Sequence, residues 1–339
     1  MIKSSLHQLV NIKTASVSTA TKSKLYFRYS IMLPILLSHF CFAFPLDIFG
    51  QTDTDTIYSF VTKWGSLGEG DGQFDGQNDV DFYDGRVYVA DYANHRIQIF
   101  DPQGNFIAKF GDGGEGDGQF HKASALSIDS EGNLYIADQF NFRIQKFTSD
   151  GTFIMKWGTE GEGDGQFLHP HVPANDAEGK LFVTDRDLAN VQVFADDGEF
   201  IMKWGTEGEG DGQLSKPESS IVDSQGNVYI ADYGNDRIQK FTNDGKFIMK
   251  WGSKGTADGQ FQGPSGLSID ANDNIYVTDK NNNRIQIFTS DGQFIAKFGE
   301  PGSGDGQLSG PEGVGVDKES GSVYVADTGN NRIQLFEYQ

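Results

Sequence analysis

Three side chains with metal-ligand chemistry, His171, Glu218 and Glu312, fall at matching places in this sequence. An imidazole and two carboxylates can hold a divalent cation, and a cation so held polarises a carbonyl or activates water. His171 stands in Leu168-His169-Pro170-His171-Val172-Pro173, Glu218 follows Pro217 and Glu312 follows Pro311. The same column holds Asn78, Ser124 and Ser265. Whether ligands so far apart in the chain can meet depends on the elements that carry them.

Those elements are copies of one unit. A phrase Ile/Val-Ala/Thr-Asp recurs with its aspartates at Asp91, Asp138, Asp185, Asp232, Asp279 and Asp327, at intervals of 47, 47, 47, 47 and 48 residues. A second series, Asp-Gly-Gln, keeps the same beat at Asp71, Asp117, Asp164, Asp211, Asp258 and Asp305. Self-similarity at such a period outranks any local motif in assigning a fold. Within the second copy, Ala125–Asp129 alternates, Ser130-Glu131-Gly132 turns, and Asn133–Ala137 is nearly all apolar. Arg143–Phe147 and Phe153–Trp157 follow, joined by the hairpin turn Ser149-Asp150-Gly151. Four short strands and no 3.6-residue period describe a propeller blade. The chain therefore reads as all-β: a six-bladed β-propeller of four-stranded antiparallel blades.

The last copy stops after its third strand, Asn331–Phe336, and a segment of the missing type, Tyr58–Gly65, precedes the first copy. The N-terminal strand is expected to complete the last blade. The recurring Gly-x-Gly-Asp-Gly-Gln-Phe, Pro-x-Gly-Leu-x-Ile-Asp, Gly-Asn-x-Tyr-Val-Ala-Asp and Asn-x-Arg-Ile-Gln-Ile-Phe phrases resemble the NHL repeat over roughly residues 56–339. That resemblance implies the propeller fold and leaves function open, because such propellers include protein-binding modules, RNA-binding domains, sensor ectodomains and some lyases. Some propeller-type lyases and lactonases hold a catalytic metal in the central channel, which would give His171, Glu218 and Glu312 a role.

Residues 1–50 differ from the repeats. Lys3, Lys13, Lys22, Lys24 and Arg28 precede a mainly apolar run from Tyr29 to Phe44, no acid occurs before Asp47, and Cys41-Phe42-Ala43 offers a small-x-small cleavage site. This reads as a signal peptide or an N-terminal membrane-targeting segment, so a secreted or cell-surface protein is expected, touching a membrane only through that segment if it is uncleaved. The only cysteine is Cys41, so thiol catalysis and disulfides are not expected in the repeats. Without residues 1–43 the Lys+Arg total falls from 27 to 22 against 48 Asp+Glu, a net charge of −26. Such a surface repels phosphate backbones, and no nucleic-acid partner is expected.

Most repeated residues suit scaffold roles. The Asp ending each second strand can accept amide hydrogen bonds from the following turn, the loop Asn suits left-handed backbone, and the Arg five residues after the Asp can reach back to it. The glycine-rich loops read as turns between blades, and Lys63, Lys109, Lys156, Lys203, Lys250 and Lys297 as edge-strand charges against aggregation. Function is expected where the copies differ. On the face bearing the turns between second and third strands, the tips vary, and Tyr92, His95, Phe140, Phe142, Arg186, Tyr233 and Lys280 form the candidate binding face. The reading is a monomeric, non-catalytic scaffold, without a required cofactor, for a protein, peptide or glycan. The alternative is a metal-dependent lyase or lactonase with a divalent metal at the channel mouth.

Overall fold

The computed structural model describes Tyr58–Gln339, so the segment 1–50 and the first two residues of the range 56–339 lie outside the described residues. Six four-stranded antiparallel sheets follow one another. Blade 1 comprises Gln77–Tyr83, Arg86–Asp91, Arg96–Phe100 and Phe106–Phe110, ordered from the channel outward. Blades 2 to 5 repeat that order, with inner strands Ala123–Ile128, Pro170–Asn175, Pro217–Val222 and Pro264–Ile269. Blade 6 takes Val314–Val316, Val323–Asp327 and Arg332–Tyr338 from the C-terminal end and Tyr58–Trp64 from the other, paired antiparallel from Tyr58 with Tyr338 to Trp64 with Ile333. Each inner strand touches the next, and those of blades 6 and 1 meet, which closes the ring.

Strands buried on both faces explain the continuous apolar runs, because each sheet is covered by the sheets before and after it. The seam between blades 1 and 2 joins Tyr88, Ala90, Ile97 and Ile99 to Phe120, Leu126, Ile136 and Phe147. The closing seam sets Val80, Val87 and Val89 against Tyr324, Ile333 and Leu335. Outer strands alternate partly buried and exposed positions instead, as at Phe153–Trp157. On such a strand Trp64 lies flat against Gly104, where a Cβ would come within 2.4 Å of the ring.

A buried polar clasp ties each inter-blade loop to its blade. In blade 2, Asp138 Oδ2 accepts from Arg143 Nε at 2.7 Å, Asn141 Nδ2 at 2.9 Å and Gln145 Nε2 at 3.0 Å. The other carboxylate oxygen accepts from the His121 amide at 2.7 Å. The remaining Arg143 donors reach the carbonyls of Glu115, Gly116 and Gln119 at 2.7 to 2.9 Å. Blades 1, 4, 5 and 6 hold the same Arg to Asp contact at 2.6 to 2.8 Å. The amide held by the Asp thus comes from the loop between blades rather than from the following turn. Left-handed backbone also sits one residue later than expected, at His95, Phe142, Asp236, Asn283 and Asn331, where the preceding loop Asn is engaged by the Asp, and at Ala189, which follows Leu188 in blade 3.

Blade 3 departs from this scheme. Asn190 replaces the Arg and its buried Oδ1 has no partner, while Asp185 takes amides of Leu168, His169, Asp187 and Leu188. The six edge lysines are paired as well, each with the Asp of an Asp-Gly-Gln loop at 2.6 to 2.9 Å. Exposed pairs of this kind contribute at most about 1 kcal/mol each. The buried clasp should matter more: Arg143→Lys strands buried carbonyls that a single ammonium cannot serve, and is expected to lower stability by about 2–4 kcal/mol in guanidinium unfolding. Leu188→Asn with Asn190→Arg is expected to raise the unfolding midpoint by completing the third clasp.

Candidate functional site

The repeat brings the six-residue column to the channel mouth, as chain arithmetic requires. His171 Nε2 lies 2.9 Å from Glu218 Oε2, and Arg186 Nη1 lies 3.3 Å from Glu218 Oε1. Glu312 has partners of its own: Lys280 Nζ is in contact with its Oε1, and Ser265 Oγ donates to its Oε2 at 2.9 Å. Each of the two glutamates is therefore already paired with a basic side chain from a tip. Among the described residues no group of three His, Cys, Asp or Glu is placed to hold a metal, so the expected triad of His171, Glu218 and Glu312 is not assembled. The physical reason is that Arg186 and Lys280, read from sequence as binding residues, supply the counter-charge a metal would have supplied.

Charges in the mouth shift as those pairings dictate. Burial works against ionisation of both His171 and Glu218, yet each charge offsets it for the other, so the imidazole titrates above its ordinary value and the carboxyl below. Burial likewise opposes the Lys280 charge, and Glu312 reverses that and holds it above the usual range. His171 Nδ1 has no partner. His171 lines a cavity of about 10 Å³ together with Asn78, Asp79, Ser124, Ser265 and Glu312. A space of that size admits about one water and no substrate.

Asp79 was not legible as a site residue. It occupies the place of Gly266 and Gly313 in other blades, and a Cβ at Gly313 would meet the Asp79 Cα and Oδ1 at 2.6 Å. Asp79 Oδ2 accepts from the Leu126 amide at 3.0 Å, and burial pushes its carboxyl up to about 7. The signal available was an acid in a column of small residues.

Outward from the mouth, the tips of blades 1 to 3 form a connected strip. Tyr92 OH donates to Gln139 Oε1 at 2.8 Å, and Gln139 Nε2 contacts His169 Nε2. Lys122 Nζ sits 4.5 Å from the Tyr92 ring centre and 5.5 Å from that of Phe140. Phe140 is 40% exposed, and its ring lies 5.3 Å from His121. His95 is half-buried: its Nδ1 accepts from the Lys122 amide at 2.9 Å, and burial, with His121 and Lys122 nearby, holds its pKa below the ordinary value. Phe142 packs into the seam between blades 2 and 3, so its ring belongs to the core. Tyr233 lies under the Arg186 guanidinium at 5.6 Å. Sequence reasoning passed over Lys122, His121, Gln139 and His169. Lys122 shares its column with Gly76, Gly263 and Gly310 but also with Lys216, and both lysines adopt left-handed backbone, with φ 71° and 50°, so the column alone carried no signal for it.

A family model for the NHL repeat matches residues 261–288 and 308–336, and another, described as a 6-bladed beta-propeller, matches residues 73–156 and 174–252. The chain is an NHL-repeat six-bladed β-propeller. No curated protein matches it in sequence. Among solved structures, this NHL propeller is similar to a streptogramin B lyase, at 16% identity and TM-score 0.59 over 83% of this chain and 98% of that one. It is similar also to a structural genomics protein of Bacteroides thetaiotaomicron, at 18% identity and TM-score 0.67 over 83% and 76%. An auxiliary nutrient binding protein of Bacteroides ovatus matches at 16% identity and TM-score 0.62 over 82% and 76%. Likenesses at these identities show the fold.

The buried acid gives the site a pH test. A carboxyl whose folded pKa is raised binds its proton more tightly in the native state, so stability falls as pH rises from the unfolded value near 4 to about 7. In blade 4, Ser219 Oγ makes the equivalent contact, accepting from the Leu267 amide at 3.2 Å. Asp79→Ser should therefore melt higher than the natural protein at pH 8, by roughly 5 °C, with the advantage shrinking towards pH 4. Differential scanning calorimetry across that range checks it; a difference independent of pH would show that Asp79 is ionised throughout.

Proposed function

We propose that this propeller is an exported or cell-surface scaffold that captures a protein, peptide or glycan on the tips of blades 1 to 3 and releases it chemically unchanged. The observation that carries this reading is the exposed Phe140 ring beside Lys122 and Tyr92, set against a channel mouth whose charges are already paired. Exposed aromatics held in place by neighbours are the usual anchors of binding surfaces. The basic and then apolar segment from Lys3 to Phe44 supports export, with cleavage after Ala43. Among the described residues no helix is long and apolar enough to cross a membrane.

A second reading, a lyase or lactonase, is favoured by one feature, the unpartnered His171 Nδ1 beside the Glu218 carboxylate. A histidine oriented by an acid can serve as a general base. The water-sized cavity and the cation on each glutamate argue against it.

Capture from glycan and peptide arrays separates the two. Phe140→Ala is expected to remove binding while the melting temperature stays within about 1 °C, because the ring is exposed; His171→Ala is expected to leave binding intact. Elemental analysis of protein purified without chelator provides a further check. A stoichiometric divalent metal that disappears with His171→Ala, together with turnover of a bound ligand, would replace the scaffold reading by the enzymatic one. N-terminal sequencing of protein recovered outside the producing cell should begin after Ala43.

A further inference from the structure

Lys122 is a cation in an unusual position for so acidic a chain. Arg186 and Lys280 on the same face are matched by Glu218 and Glu312, whereas Lys122 forms no ion pair among the described residues. Its ammonium is held instead by the faces of Tyr92 and Phe140. A ring quadrupole attracts the ammonium without cancelling its charge, so the group stays localised and still available to an anion. Tyr92 is itself fixed by its hydrogen bond to Gln139, which His169 holds in turn. The lysine stands in left-handed backbone that the equivalent positions of blades 1, 5 and 6 give to glycine, and Lys216 of blade 4 shares both the residue type and the backbone, so the two rings beneath its ammonium are what set Lys122 apart.

Next to this strip, between the tips of blades 1 and 2, lies a cleft of about 310 Å³ lined by His95, Gly113, Gly114, Glu115, Phe120 and His121. That is the lower end of the size range for small-ligand sites. Because His95 Nδ1 accepts from the Lys122 amide, the neutral ring carries its proton on Nε2 and offers it as a donor. The same tautomer leaves Nε2 without a free lone pair, which removes His95 as a metal ligand. Glu115 adds an acceptor and His121 a second imidazole, a polar lining suited to hydroxyl groups. Phe140 offers a flat apolar face on which the C–H edge of a sugar ring can stack. Peptides, by contrast, are taken by apolar grooves or unpaired strand edges, and the unpaired edges here belong to the outer strands at the perimeter.

Resting on the scaffold reading, we infer that the Lys122 strip and its adjoining cleft bind a carboxylate-bearing oligosaccharide. A uronate carboxylate would meet the Lys122 ammonium, one sugar face would cover Phe140, and hydroxyls of the neighbouring sugar would reach His95, His121 and Glu115. On a chain of net charge −21 an acidic glycan needs such a localised cation, and salt should weaken the contact.

Titration calorimetry with the full chain tests this, using trimers of galacturonate, glucuronate and mannuronate beside galactotriose as the neutral control. At least one uronate trimer is expected to bind at least tenfold more tightly than galactotriose, with affinity falling as sodium chloride rises from 50 to 500 mM (roughly, over this range, the Debye length drops threefold). Lys122→Ala should remove the preference, Lys122→Arg should retain it, and Phe140→Ala should weaken acidic and neutral sugars alike. Equal affinity for neutral and acidic trimers, or a preference untouched by Lys122→Ala, overturns the inference. Binding of none of the uronate trimers also overturns it; capture of a peptide through Phe140 in that case leaves the scaffold reading standing, and no capture of any array ligand overturns both.

Discussion

A buried carboxylate at the end of each second strand organises the rest of this molecule. Five of the six aspartates are met by an arginine that also gathers three loop carbonyls, and the whole arrangement is out of water. A charge in such a place is tolerable only when every lone pair and proton around it has a partner. That demand fixes the glycine-rich loop against its own blade. The loop in turn sets where the next inner strand begins, and hence how the column of residues at the channel mouth is registered. Apolar seams supply most of the burial between blades, while the clasps determine the geometry at which those seams meet.

Blade 3 shows what happens when the constraint is relaxed. Without the arginine, Asp185 is served by four amides, its burial raises its pKa, and Asn190 is left with an unsatisfied oxygen. The same blade carries His169 and His171, Arg186 and the unusual pair of prolines around the mouth. Departure from the repeat and concentration of titratable groups thus coincide, as expected where a scaffold accommodates something other than its own stability.

Charge pairing decides between the two kinds of site that the residues alone would permit. At the mouth, Glu218 and Glu312 each find a cation on a tip, so acids that could have coordinated a metal are already neutralised. At the strip, Lys122 finds only rings, so a cation that could have been neutralised is left available. Side chains of the same types thus reach opposite outcomes on one face, because the first group finds glutamates at the channel mouth and the second finds only rings.

The repeat period, the four-strand unit, the number of blades and the closing strand at Tyr58–Trp64 were all legible in the sequence, because each depends on patterns that recur at fixed spacing in the chain. The arrival of His171 and Glu218 at one place followed from the same arithmetic. What the chain order could not reveal were distances between side chains of different copies: that Glu312 turns to Lys280, that Phe142 enters a seam while Phe140 stays out, and that Asp79 is buried against a neighbouring inner strand. Those outcomes depend on which rotamer a side chain takes once adjacent blades close around it, and only the assembled ring provides the neighbours that make the choice.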